Sequence, residues 1–199
     1  MRFPERGLHV SWSFWLLILL AAIVSPLTIV LSILLAAALH ECGHFLALRA
    51  FHVPIEGLRL SAFGAVLHAR GAQRLSYGRE LVVTLAGCGM NLVCGVLTAW
   101  FSLHYVWVEG FVFAGAHILL CAFNLLPIPP LDGSSIIVPF LKGKALNNYY
   151  RLQQYAMPIL ILVLYLLPMW TGIDVIGRYF DVTVYPLAEQ LLNFAIAGI

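Results

Sequence analysis

His40, Glu41 and His44 stand together inside the apolar run from Leu35 to Leu48. Residues four apart share one face of a helix, so His40 and His44 can grip a single metal ion. Glu41 falls about 100° round from His40, beside such a metal rather than on it. A general base for a metal-activated water belongs there. H-E-x-x-H is a short pattern that chance also produces, but its setting adds weight. Three ionisable side chains in an apolar helix are costly unless they do something. A pair of histidines merely bonded to neighbouring helices would leave Glu41 unexplained. Cys42 lies two residues from both histidines and so points to the opposite face, away from a metal.

The elements that must hold these residues follow from composition. With 62% hydrophobic and only 10% charged residues, the chain lacks the polar surface of a soluble domain. It reads as an all-α polytopic membrane protein of about six transmembrane helices. One membrane-embedded domain is expected over residues 1–199, with a motif core at about 27–140. The expected spans are residues 8–24, 27–51, 80–103, 108–125 and 152–169. A weaker sixth at 182–199 is interrupted by Pro186 and Glu189 and could equally lie at the interface. No cleavable signal peptide is expected. Residues 57–69 alternate around the bend at Phe63-Gly64, the pattern of a membrane-associated β-hairpin after the second span. Residues 126–150 read as a proline-rich, then basic, connection.

Counted over six spans, ten of the eleven Lys and Arg residues fall on the side of the N-terminus and only Arg178 on the other. Basic residues concentrate on the cytoplasmic side, so both termini are expected there. His40 lies eleven residues before Phe51, which puts it about 16 Å below that boundary. Gly87, Gly89 and Gly95 are expected to let helices pack closely. His9, His52, His68, His104 and His117 lack ligand spacing and receive no role.

Two histidines leave a zinc ion short, since catalytic sites use three protein ligands plus water. Asp132 is the candidate for the third. It ends the stretch Asn124-Leu-Leu-Pro-Ile-Pro-Pro-Leu-Asp132, which leaves the fourth span towards the same side as the histidines. Pro127, Pro129 and Pro130 forbid a regular helix. Irregular backbone at membrane depth is tolerated only against protein or a water-filled cavity. The stretch should therefore face the interior, where Asp132 completes a His₂Asp set. Taken alone, Asp132 would read as a surface loop residue next to a turn glycine.

His40-Glu-Cys-Gly-His44 together with Asn124-x-x-Pro-x-Pro-x-Leu-Asp-Gly133 resembles the site-2 protease family of intramembrane zinc metalloproteases. Ala86-Gly-Cys-Gly-Met-Asn91 is similar to that family's Ala-Gly-Pro-x-x-Asn motif, with Cys88 in place of the proline, and Leu58 to His68 resembles its hairpin. The resemblance points towards the branch that processes a membrane-tethered sporulation sigma factor. It implies one Zn²⁺ per chain on His40, His44 and Asp132, with Glu41 as base, and hydrolysis of a membrane-tethered protein in or near its transmembrane segment. A sporulation transcription-factor precursor is one substrate of that kind. No CBS or PDZ domain is expected. The expected surroundings are the lipid bilayer, in a bacterial cytoplasmic membrane, with a membrane regulator or inhibitor as a candidate partner and no nucleic acid.

Substrate positioning is assigned to Phe63 and Gly64 in the hairpin, whose edge could pair with an unwound substrate. Asn91 and Asn124 could position substrate backbone or simply link helices by hydrogen bonds. The competing reading is a metal-binding or metal-transporting membrane protein without peptidase activity, in which Glu41 and the hairpin would lack a purpose.

Overall fold

The computed structural model describes residues 7–62, 64–72 and 75–156, and scattered residues beyond them, including a short helix at Leu167–Thr171. Phe63 and most of the fifth and sixth expected spans lie outside the described residues. The chain runs through strand β1 (Gly7–Val10), helices α1 (Trp12–Val24) and α2 (Leu27–Ala50), and strands β2 (Ile55–Ser61) and β3 (Gly64–Ala69). Helices α3 (Tyr77–Tyr105), α4 (Val108–Asn124), α5 (Gly133–Ile137) and α6 (Lys144–Gln154) follow.

Helices α2, α3 and α4 pack against one another and form the body that carries the chemistry. The connection from α3 to α4 is only Val106 and Trp107, so the two helices run antiparallel. The amide of Trp107 donates back to the Ser102 carbonyl and closes that turn. This brings the second half of α4 beside the middle of α3, with Asn91 against His117 and Gly95 against Ile118. Helix α1 buries none of its residues and lies against the outside.

The packing is inverted relative to a water-soluble protein. Most residues buried on α2, α3 and α4 are small or polar, among them Ser32, Ala36 and Gly43; Thr84, Gly87 and Asn91; Gly110, Ala114 and His117; Val30 and Leu48 of α2 are the large apolar exceptions. Outward sit Leu31, Ile33, Leu35, Val93, Leu97, Trp100 and Phe111. Small residues let helix backbones approach, and an apolar exterior suits lipid rather than water. A Cβ on Gly43 would collide with the Ala86 carbonyl, and one on Gly95 would lie 2.9 Å from Ile118 on α4. Gly89, expected to serve the same purpose, faces open space. The hydroxyls of Ser32, Thr98 and Ser102 return to carbonyls four residues back, so these polar groups are satisfied within their own helices.

Among the described residues, α2 and α3 are long and apolar enough to cross a membrane. Their 24 and 29 residues extend about 36 and 44 Å, against a hydrocarbon core of about 30 Å. The apolar helices α1 and α4, of 13 and 17 residues, reach only about 20 and 26 Å.

The expected hairpin is present as β2 and β3, paired antiparallel from Ile55↔Ala69 to Ser61↔Gly64. It is part of a three-stranded sheet ordered β1-β2-β3, in which β1 pairs parallel with β2. The expected first span at 8–24 is thus divided into a strand and a helix. The Ser11 amide donates to the Leu60 carbonyl, and the Ala62 amide donates to Ser13 Oγ. Four residues of alternation carry little signal of their own; the free edge of β2 recruits them. The expected loop at 126–150 likewise contains α5, a 3-10 turn at Val138–Phe140 and α6.

Candidate metal centre

The three candidate ligands come from two differently determined pieces of chain. His40 and His44 project from one face of α2, as their spacing requires. Asp132 ends the proline-broken stretch after α4, where the Pro129–Pro130 bond is cis. Gly133 presses that stretch against α4's end, since a Cβ there would collide with the Leu125 carbonyl. The Leu131 amide donates to the Ile128 carbonyl, and the Ser135 amide to Asp132's own carbonyl.

The side chains meet at one point. His40 Nε2 lies 2.8 Å from Asp132 Oδ2, His44 Nε2 lies 3.0 Å from the same oxygen, and the two nitrogens are 3.1 Å apart. The side chains of His40 and His44 are 6% and 12% exposed and that of Asp132 is 28% exposed, so the triangle is open on the carboxylate side. Three ligands about 2.0–2.1 Å from a tetrahedral zinc define a triangle with edges of about 3.3 Å. The observed edges are shorter than this by about 0.2 to 0.5 Å, and two imidazoles with one carboxylate are a zinc donor set. Among the described residues this is the one group of three such side chains close enough to share an ion.

Neighbouring groups orient the imidazoles. His44 Nδ1 donates to the Val83 carbonyl on α3 over 2.8 Å, which leaves the Nε2 lone pair for a metal. His40 Nδ1 lies 3.3 Å from the Asn91 amide on α3, and Asn91 Oδ1 lies 3.0 Å from His117 Nδ1 on α4. A Cβ on Gly87 would collide with His44 Nε2 and lie 2.6 Å from His44 Cε1 and 2.8 Å from His40 Cε1. Gly87 therefore provides the seat on which both rings lie, a more specific purpose than helix packing.

Glu41 is half-buried and stands next to His40 on α2. It is absent from the three-residue cluster, as its angle on the helix requires. Cys42 is absent from it too.

The residues considered for substrate positioning separate. Asn91 is fully buried and joins α2, α3 and α4 through His40 and His117. Asn124 donates to Leu120 of its own helix over 3.0 Å. Gly64 has φ +114° and open space about it, so the bend uses backbone freedom that only glycine has at little cost. His117 had received no role from the sequence. The signal was available, since a polar ring in an apolar helix is expected to have a purpose.

No protein-family model matches the chain. Stage IV sporulation protein FB of Bacillus subtilis (strain 168) is 27% identical over 151 residues, covering 70% of this chain and 52% of that protein. Rip2 of Mycolicibacterium smegmatis, named as a zinc metalloprotease, is 31% identical over 93 residues, covering 43% of this chain and 36% of that protein. The chain thus spans about half the length of the first of these curated relatives and about a third of the second. The solved Site-2 Protease from Methanocaldococcus jannaschii shares the fold, with a TM-score of 0.65 over 96% of this chain and 93% of that one, at 19% identity. With the H-E-x-x-H and Leu-Asp-Gly motifs meeting at one centre on that fold, the chain is similar in sequence and in fold to proteins of the site-2 protease family.

Proposed function

We propose that the protein is an intramembrane zinc metalloendopeptidase that cuts a membrane-tethered protein within or beside its transmembrane segment. The observation that carries this reading is the three-residue centre, with Glu41 next to His40 on the same helix. A structural zinc is enclosed by four protein ligands, whereas three leave a position open to water and substrate. His40, His44 and Asp132 would hold one zinc per chain, and zinc held there supplies the Lewis acidity that polarises a carbonyl and acidifies water. Glu41 accepts the proton of the attacking water and returns it to the leaving amine. Val83 and Asn91 keep the two imidazoles oriented while this happens. The test is incubation of the purified protein in detergent micelles with single-span substrates, scored by size shift. A peptidase cuts in detergent, whereas a transporter acts only across a sealed vesicle.

A substrate helix hides its carbonyls in its own hydrogen bonds and must open before attack. Among the described residues β3 is one of the two edge strands of the sheet, and both hairpin strands touch α2. Its edge suits capture of an opened segment by strand addition. Gly64→Val forces a β-branched residue into φ +114° and should distort that strand. Cleavage of a transmembrane substrate is expected to fall several-fold with zinc content unchanged. Equal turnover by the variant would remove the edge strand from substrate binding.

The membrane arrangement belongs to the same proposal: a multi-pass protein of the bacterial cytoplasmic membrane with both termini cytoplasmic. The ten-to-one basic asymmetry supports it. A reporter fused after Ile199 is expected to be cytoplasmic and one inserted beside Tyr105 external. Both on one side would overturn the six-span map.

A further inference from the structure

We propose that His117 is a positioning residue for the metal centre, holding the Asn91 amide and, through it, the ring of His40. The inference rests on the reading of His40 as a metal ligand. His117 is on α4, outside both motifs that supply the centre, and is fully buried, as is Asn91. Its Nδ1 lies 3.0 Å from Asn91 Oδ1, and the Asn91 amide nitrogen lies 3.3 Å from His40 Nδ1. Among the described residues His117 Nε2 has no hydrogen-bond partner and is the one buried side-chain nitrogen or oxygen in that condition. An unpaired buried nitrogen is costly, and an apolar ring would fill the same space without that cost. The imidazole is therefore accounted for by its other nitrogen, the one that faces Asn91.

The chemistry of His40 shows what this contact does. To offer Nε2 to a metal, His40 must carry its proton on Nδ1 and donate it. Asn91 must then present its carbonyl oxygen to His40, and its NH₂ must donate to His117 Nδ1. A carboxamide turned about its terminal bond exchanges these two ends with little displacement of its neighbours. Neutral imidazole can accept or donate at Nδ1, so His117 can partner Asn91 in either orientation. It anchors the far end of the amide while the near end fixes the tautomer and the plane of the His40 ring.

The experiment measures zinc affinity in detergent by competition with a chromophoric chelator, independently of any cleavage. His117→Phe keeps an aromatic ring but removes the anchor; its zinc affinity is expected to fall about tenfold, the low end for loss of an outer-shell partner. His117→Gln retains a donor and an acceptor and should restore affinity to within about threefold of wild type, which loss of packing alone would not allow. A second pair of variants tests the same link should His117→Phe not yield folded protein. Asn91→Asp still accepts from His40 Nδ1 and should keep zinc, whereas Asn91→Leu cannot accept and should lose affinity as His117→Phe does. Equal affinity in wild type, His117→Phe and Asn91→Leu would overturn the positioning role while leaving the metal centre standing. Failure of the wild type to bind zinc would overturn both.

Discussion

Asp132→Ala should leave the purified protein nearly free of zinc and without measurable cleavage. Asp132 Oδ2 is the vertex shared by both histidines, at 2.8 and 3.0 Å. Without it the site retains two imidazoles on one helix, and two ligands do not hold zinc in a tetrahedral site. The loss should exceed the roughly 10–100-fold typical of outer-shell partners. His40→Ala and His44→Ala should behave alike, since each removes one corner of the same triangle. The fold should survive, because the α2, α3 and α4 packing rests on the small residues at their crossings rather than on Asp132. The measurement is zinc per chain by mass spectrometry on monodisperse protein, alongside cleavage of a tethered substrate. Full zinc and full activity in Asp132→Ala would send the search for the third ligand elsewhere.

The centre was legible in the sequence because each part of it has a local cause. The four-residue spacing puts His40 and His44 on one helix face wherever that helix goes. Prolines at 127, 129 and 130 force an irregular stretch whatever surrounds it. The parts that escaped depend on contacts between distant segments. β1 is a strand because the edge of β2 is beside it, and Gly7-Leu-His-Val alone does not say so. His117 meets Asn91 across a helix pair, a contact that no spacing along α4 encodes. The sequence marks Gly87 as a packing glycine, but that its missing Cβ makes room for two imidazoles needs the crossing of α2 and α3. The amphipathic α6 was hidden by the basic residues around it, which read equally well as a loop.

Glu41→Gln should separate metal binding from catalysis. The substitution keeps the size of the side chain and its hydrogen-bonding reach and removes its ability to take a proton. Glu41 lies beside the His40–His44 line, outside the ligand cluster, so zinc content should stay at the wild-type level. The proton of the attacking water then has no base positioned to receive it, and the leaving amine has no acid to return it. Cleavage is expected to fall by at least about 10², the low end for a lost general base. The half-buried setting of Glu41 favours the larger end, since little bulk water is present to substitute for the carboxylate. Substrate binding should persist, and the variant should co-purify with substrate that the active protein would have cut. Zinc content and cleavage rate must be read on the same sample, because each outcome assigns a different role. Zinc retained with near-wild-type cleavage would remove Glu41 from the mechanism, and zinc lost would make it part of the metal's support. Zinc retained with cleavage abolished is the result that a base beside a His₂Asp centre requires.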